Sequence, residues 1–221
     1  MTKHIFVTAT DTDAGKTLVA SALVQKLTKT NKVAVFKPIS AGCENVDGEL
    51  QNGDAIELRK SSNCGQTLSS VNPIAFKDPI APHIAANASN VSITTRDIIQ
   101  HFNSIAMYQP DIIVSEGAGG WRLPIGNGDY LSSFAQQSCQ DVVLVVNMKL
   151  GCLNHALLTF EAIKSDGLEC VGWIANCIEN MDVQTENINE LKRLLPAPCL
   201  GVVPRVKDAV EASEYISTPN L

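Results

Sequence analysis

The sequence predicts an α/β fold in which helices cover both faces of a mostly parallel central sheet of about seven strands. Short apolar runs rich in β-branched residues, such as 141–146, are typical of strands buried on both faces. They alternate with stretches whose apolar residues have helical spacing, such as 18–27, and this alternation favours a parallel sheet. The 221 residues are 45% hydrophobic and contain no linker-like stretch, so we expect one domain over 1–221.

Charge and composition exclude several function classes. The formal net charge of −6, without a basic tail, argues against nucleic acid as a partner. No signal-peptide-like region and no apolar run of about 18 residues is present, so we expect a cytoplasmic protein without a membrane partner. The seven cysteines contain no C-x-x-C pair, and this spacing indicates reduced thiols rather than zinc ligands or disulfides.

The first strand leads directly into a phosphate-binding loop. An apolar run at 5–7 is followed by Gly15-Lys16-Thr17 and then by the predicted helix 18–27. In such a strand-loop-helix unit the backbone N–H groups face phosphate oxygens, the lysine reaches the outer phosphates and the threonine hydroxyl binds Mg²⁺. The usual pattern G-x-x-x-x-G-K-[ST] begins with glycine, but this chain has Thr10 there. The context nevertheless predicts nucleotide binding.

The phosphate-binding loop also contains two carboxylates, Asp11 and Asp13. They would repel a triphosphate unless each meets a cation, an ammonium group or a hydrogen-bond donor. The alternative is that one of them only caps the following helix.

The second strand, 32–36, ends at Lys37-Pro38. Ligands of open α/β sheets gather at the strand ends, so Lys37 is expected to face the same crevice as the phosphate loop, although a solvated lysine is the simpler alternative. After a loop at 39–48, a helix is predicted over 53–60. Asp54 in its first turn would either cap the helix or bind Mg²⁺.

In the middle of the chain, a second predicted strand ends in residues that suit ligand binding. A proline-containing stretch at 71–83 is expected to be an ordered loop that covers something, and a helix is predicted over 92–108. The strand 111–115 then ends in the sequence EGAGG at 116–120. A carboxylate at a strand tip followed by glycines suits a Mg²⁺ or phosphate site. The alternative is a glycine-rich turn with a solvated Glu116.

The last third of the chain continues the alternation. The remaining predicted helices are 130–137, 156–164 and 183–195, and the remaining strands are 141–147, 171–175 and 200–203. The segment 149–155 leads into the second of these helices, whose free N–H groups could receive a carboxylate-bearing substrate. Asn176, which follows a strand, could read a base through its amide or only form a turn.

Taken together, these strand ends resemble those of dethiobiotin synthetase over essentially the whole chain. The motifs that carry the resemblance are VTATDTDAGKT at 7–17, KP at 37–38, NGD at 52–54, VNP at 71–73, PH at 82–83, EGAGGW at 116–121 and KLGCLNHA at 149–156.

The resemblance implies a homodimer with a P-loop NTPase fold that closes the ureido ring of dethiobiotin. Its substrates are 7,8-diaminopelargonic acid, CO₂ and ATP, and its cofactor is Mg²⁺. An amine becomes a carbamate, the carbamate takes the γ-phosphoryl group, and the second amine attacks the mixed anhydride and expels phosphate. Phosphoryl transfer depends mainly on positioning and charge neutralisation, so lysines and a metal suit this chemistry.

The same resemblance implies roles for individual residues. Lys37 is the catalytic lysine with Lys16 opposite it, and Thr17, Asp54 and Glu116 surround Mg²⁺. The nucleotide is bordered by Asp13, Ala14, Gly15, Lys16, Thr17, Leu18, Glu116, Gly117, Ala118 and Gly119, with Asn176 and Pro204 at adenine. Leu150, Gly151 and Asn154 of the neighbouring subunit would receive the substrate carboxylate.

Two positions depart from the family pattern. Many members have glycine where this chain has Ala9. The substrate-binding hydroxyl that often follows the catalytic lysine by four residues falls on Ala41, so a backbone group or Ser40 would have to replace it.

The sequence is also compatible with two alternative functions. One is a nucleotide-dependent partitioning switch, although this chain lacks the additional loop lysine and the basic surface or membrane helix typical of that class. The other is a different ATP-dependent ligase of the same superfamily that forms an amide or a ring.

Overall fold

The computed structural model describes residues 2–218; the ends of the predicted 1–221 domain, residues 1 and 219–221, lie outside this range. The strands in chain order are β1 (Lys3–Ala9), β2 (Val33–Phe36), β3 (Ile39–Ser40), β4 (Glu44–Val46), β5 (Glu49–Gln51), β6 (Ile74–Ala75), β7 (Ile112–Glu116), β8 (Pro124–Gly126), β9 (Asp129–Tyr130), β10 (Asp141–Asn147), β11 (Cys170–Asn176) and β12 (Cys199–Val203).

The helices cover both faces of the central sheet. In chain order they are α1 (Lys16–Leu27), α2 (Gly53–Ser61), α3 (Leu68–Val71), α4 (Pro82–Ala88), α5 (Thr95–Ser104), a 3₁₀ turn (Ile105–Tyr108), α6 (Leu131–Gln137), α7 (Cys152–Ser165), α8 (Gln184–Leu194) and α9 (Ala209–Glu214).

The central sheet has the order β12-β11-β10-β1-β7-β2, and all its neighbouring strands are parallel. The predicted α/β class is therefore confirmed. The sheet has six strands where about seven were expected, and the short strands of the connecting loops form separate two-stranded sheets, β3-β6, β4-β5 and β8-β9.

Alternating side chains of each strand fill two separate cores. In β1, Phe6 packs on one face with aromatic residues that include Trp121 and Phe134, while Ile5 and Val7 pack on the other face with the apolar side of α1. A strand buried on both faces explains the unbroken apolar runs of the sequence. Since all six strands are parallel, their carboxyl ends lie along one edge, and the predicted functional residues follow those ends.

Several element boundaries differ from the sequence prediction, and the largest differences are in two helices. The helix expected over 156–164 begins four residues earlier, at Cys152, because Gly151 adopts φ +92° and forms its N-terminal cap. The helix expected over 92–108 begins at Thr95, capped by the Thr94 side chain, and tightens into the 3₁₀ turn after Ser104. The short helices α3, α4 and α9 were not predicted, and the segment 71–83 that was expected to be a loop contains β6 and the start of α4.

No helix within residues 2–218 is long and apolar enough to span a membrane.

Candidate active site

A cavity of about 760 Å³ opens at the carboxyl edge of the sheet. The loop before α1, the end of β2, the start of α2 and the end of β7 all contribute walls, so segments far apart in sequence meet there. Ten predicted site residues line it: Asp13, Gly15, Lys16, Thr17, Lys37, Ala41, Asp54, Glu116, Ala118 and Gly119.

Neighbouring strand ends brace the phosphate loop. The Thr10 hydroxyl accepts a hydrogen bond from the Asn147 backbone N–H at 3.3 Å, which gives the residue in the place of the usual glycine a structural role. Gly15 adopts φ +75°, and a Cβ there would lie 2.1 Å from the Asn176 amide nitrogen. Only glycine fits at this position.

The carboxylates of Asp11 and Asp13 have different surroundings. Asp11 accepts hydrogen bonds from the Lys149 ammonium at 2.6 Å and from the Thr12 backbone N–H at 2.8 Å. The hydrogen bond from Lys149 is the main reason that the pKa of Asp11 is lowered. Asp13 is exposed and has a left-handed backbone, with φ +57°. Neither carboxylate caps α1, since the cap is Gly15 without a side-chain bond, so the capping alternative is wrong.

Lys16 is buried at the start of α1, with 8% of its surface exposed. Its ammonium group donates to the Asp11 carbonyl oxygen at 3.4 Å. Burial, and then the nearby charge of Lys37, lower the pKa of Lys16, because both disfavour the ammonium form. An anionic ligand in the cavity would relieve this cost.

Lys37 lies at the centre of the site. Its ammonium group donates to Glu116 Oε1 at 2.7 Å and lies 3.3 Å from Asp54 Oδ2, and only 3% of the residue is exposed. Burial opposes the charge, but the carboxylates of Glu116 and Asp54 outweigh it and raise the pKa of Lys37. Lys37 therefore stays cationic, and the alternative of a solvated strand-end lysine is wrong.

Glu116 ends β7 and is fully buried, so the alternative of a solvated turn residue is also wrong. Its Oε1 accepts from Lys37 and from the Thr17 hydroxyl, the latter at 2.9 Å. Asp54 is half-exposed and does not cap α2, because the Asn52 side chain accepts the Ala55 N–H and takes that role. The Asp54 carboxylate therefore remains available for a ligand in the cavity.

The expected Mg²⁺ site fits these residues. Glu116 Oε2 is buried, and no residue within 2–218 hydrogen-bonds it, which leaves one carboxylate oxygen for a cation. Mg²⁺ prefers oxygen ligands and usually takes one or two carboxylates together with phosphate oxygens. Two carboxylates and a hydroxyl match that pattern. In the described part of the chain no three His, Cys, Asp or Glu side chains form a metal-binding cluster, so the nucleotide would have to complete the site.

The chain is similar to one protein-family profile and to several known proteins. A family profile described as an AAA domain matches residues 3–213. The chain is 48% identical to the ATP-dependent dethiobiotin synthetase BioD of Alteromonas mediterranea over 97% of both chains. It is 46% identical to the protein of the same name from Pseudoalteromonas translucida, over 91% of this chain and 90% of that one.

The chain belongs to the dethiobiotin synthetase family. A solved structure of the septum site-determining protein MinD with Mg-ADP from Pyrococcus horikoshii superposes with a TM-score of 0.60 at 18% identity, covering 96% of this chain and 86% of that one. A ParA family ATPase from Chlorobium tepidum gives 0.57 at 14% identity, covering 96% and 89%. At such low identity these likenesses show the P-loop NTPase fold alone.

Ala41, where the resemblance leads us to expect a substrate-binding hydroxyl, lines the cavity. The neighbouring Ser40 also lines the cavity, and its buried hydroxyl donates to Asn72 Oδ1 at 2.6 Å. The Asn72 amide nitrogen in turn donates to the Lys37 carbonyl oxygen at 2.8 Å. The Ser40 hydroxyl is thus linked through Asn72 to the Lys37 backbone, although Ser40 itself lines the cavity. The sequence motif contained Asn72, but nothing in the sequence assigned it this role.

The remaining predicted site residues lie outside the large cavity. Leu150, Gly151 and Asn154 are exposed around the start of α7, with 93% of Leu150 exposed. Their assignment to a neighbouring subunit's substrate stays a prediction. The other residues in this group are Ala14, Leu18, Gly117, Asn176 and Pro204.

Asn176 is almost fully buried beneath the phosphate loop, where its amide nitrogen donates to the Ala14 carbonyl oxygen at 2.9 Å. This bond gives Asn176 a visible role in bracing the loop. Its predicted contact with adenine, and that of Pro204, stay predictions.

Proposed function

We propose that the protein is an ATP-dependent dethiobiotin synthetase, a cyclo-ligase of biotin biosynthesis. It closes the ureido ring of dethiobiotin from 7,8-diaminopelargonic acid and CO₂, and it releases ADP and phosphate. The observation that carries the proposal is the buried Lys37 ammonium, held by Glu116 and Asp54 in one cavity with Lys16. Family membership supports the choice of reaction.

The reaction needs charge stabilisation rather than a covalent nucleophile. A substrate amine adds to CO₂ as a carbamate, and a carbamate oxygen takes the γ-phosphoryl group of ATP. The second amine then attacks the carbonyl carbon of the mixed anhydride and expels phosphate. Lys37 stabilises negative charge on the carbamate and the transferring group, and Lys16 binds the outer phosphates from the other side.

Mg²⁺ would be held by Thr17, Asp54 and Glu116. When bound, the ion neutralises phosphate charge and orients the phosphate chain. The protein supplies the remaining contacts with the nucleotide. The loop N–H groups between Asp13 and Leu18 bind the phosphates, and the segment 116–119 borders the nucleotide.

The substrate side is expected to be completed by a second subunit. The exposed helix start with Leu150, Gly151 and Asn154 offers free N–H groups to the carboxylate of diaminopelargonic acid. These residues lie outside the cavity that contains Lys37, and in a homodimer they would serve the cavity of the neighbouring subunit. A cytoplasmic location would suit a biosynthetic enzyme with reduced cysteines.

Phosphate release from ATP tests this function. We expect release only when diaminopelargonic acid, bicarbonate and Mg²⁺ are all present, together with dethiobiotin detected by mass spectrometry. Equal hydrolysis without the diamine would contradict the proposal and favour a nucleotide switch. Phosphate release with a different acid or amine substrate would favour another ligase of the superfamily. A series of nucleoside triphosphates in the same assay gives the nucleotide selectivity.

A further inference from the structure

The phosphate loop separates two cavities. The large cavity lies on one side, and a smaller one of about 340 Å³ lies on the other. Thr12 and Asp13 line both, whereas Asp11 and Lys149 line only the smaller one. The Asp11–Lys149 ion pair therefore contacts the loop from the side opposite to Lys37.

Asp11 connects this ion pair to the phosphate-binding lysine. Its carboxylate oxygens accept from the Thr12 N–H at 2.8 Å and from the Lys149 ammonium at 2.6 Å. Its carbonyl oxygen accepts from the Lys16 ammonium at 3.4 Å. A change in the position of Asp11 would thus move the ammonium group that faces the phosphates.

The charge of Asp11 also needs compensation. A carboxylate in a loop that binds a triphosphate repels its ligand unless a cation lies beside it. Lys149 supplies that cation from the connection between β10 and α7. The hydrogen bond that Lys149 donates to Asp11 raises the pKa of Lys149 and lowers that of Asp11, so the pair remains ionised. Asp13 and Glu179 also line this smaller cavity, and with Asp11 they make the region strongly acidic without the lysine.

We propose that Lys149 is a positioning residue for ATP binding, which acts by holding and neutralising Asp11 in the phosphate loop. The inference rests on the proposed use of ATP but not on the identity of the second substrate. Lys149 acts through Asp11, so its effect should disappear when the Asp11 charge is removed.

The test is the affinity for Mg-ATP, measured by calorimetry on the full chain without diamine or bicarbonate. We expect Lys149→Met to bind ATP about tenfold more weakly, the scale of one uncompensated charge near the ligand. Lys149→Arg should restore most of the affinity. The double variant Asp11→Asn/Lys149→Met should bind more tightly than Lys149→Met alone. Lys164→Met, which removes an exposed lysine at the far end of α7, is the matched control and should bind like the unchanged protein.

A kinetic measurement separates positioning from a general loss of structure. For Lys149→Met we expect a raised KM for ATP with kcat nearly unchanged at saturating ATP, because the interaction contributes equally to ground state and transition state. Unchanged ATP affinity in Lys149→Met would overturn the inference. So would a double variant as weak as Lys149→Met, since Lys149 would then act independently of Asp11. Because binding is measured without the diamine, a failure of the proposed synthetase reaction would be recognised separately.

Discussion

Lys37 and Glu116 form a buried ion pair at 2.7 Å, although 79 residues separate them in the sequence. Lys37 directly follows β2 and Glu116 ends the neighbouring parallel strand β7, so the sheet itself brings them together. Asp54 and Thr17 contact the same pair from two helices. This cluster is where the proposed chemistry can be tested most directly.

Replacing Lys37 by methionine should lower kcat by about 10² or more, the scale of losing one electrostatic stabiliser of the transition state. The measurement is phosphate release with all substrates at saturation, alongside ATP affinity by calorimetry. Lys60→Met, which changes an exposed lysine of α2, is the control and should keep normal turnover.

Lys37→Met also removes the cationic partner of the buried Glu116 carboxylate. We expect Lys37→Met to lose about 3 kcal/mol of unfolding free energy in chemical denaturation, and Lys37→Met/Glu116→Gln to recover part of it. Near-normal kcat in a folded Lys37→Met protein would show that the lysine has no catalytic role.

Glu116→Gln should raise the Mg²⁺ concentration needed for half-maximal phosphate release by roughly tenfold or more, because the carboxylate with the unpaired Oε2 is lost. The assay is a Mg²⁺ titration at fixed ATP. Glu161→Gln, on the exposed face of α7, removes the same charge elsewhere and should leave the titration unchanged. An unchanged titration for Glu116→Gln would argue against Glu116 as a metal ligand.

The loop 117–122 is anchored at its far end by Asp166. The Asp166 carboxylate accepts from both terminal nitrogens of Arg122, at 2.7 and 2.8 Å, and from the Trp121 indole N–H at 2.8 Å. We expect Asp166→Ala to lower the unfolding free energy by about 2 kcal/mol, because a bidentate charge-assisted pair and a partner of a buried indole are lost.

The matched control for Asp166→Ala is Glu190→Ala. Glu190 also pairs with an arginine, Arg193, but on the exposed surface of α8. No measurable loss is expected there, since exposed pairs contribute little. Equal effects of the two substitutions would contradict the view that the Asp166 contacts anchor the loop.

Stability at alkaline pH should depend on Cys170. Burial raises the pKa of this thiol from 9.0 to about 11. Between these pH values the unfolded chain loses the proton while the folded chain keeps it, so the unfolding free energy falls as pH rises. The loss attributable to this thiol is about 2 kcal/mol at pH 11.

Cys170→Ala should therefore show a smaller fall of unfolding free energy between pH 8 and pH 11, measured by urea denaturation. Cys139→Ala, which removes an exposed thiol, should retain the full fall. Identical pH profiles for Cys170→Ala and the unchanged protein would refute the assignment.

The sequence by itself determined the fold class and the local motifs. Apolar runs mark β1 and β10 as strands buried on both faces, and Gly15-Lys16-Thr17 marks the strand-loop-helix junction, because hydrophobic period and glycine content are local properties. Those signals also located Lys37 and Glu116 at strand ends, where ligands gather.

Only the tertiary structure decided how those residues are paired. Burial of Lys37 between Glu116 and Asp54, the bond from Asn147 to Thr10 and the ion pair of Asp11 with Lys149 all join distant segments. The hydrogen bond from Ser40 to Asn72 also joins distant segments. Such contacts depend on which strands are neighbours and in what register, and local propensity does not contain that information.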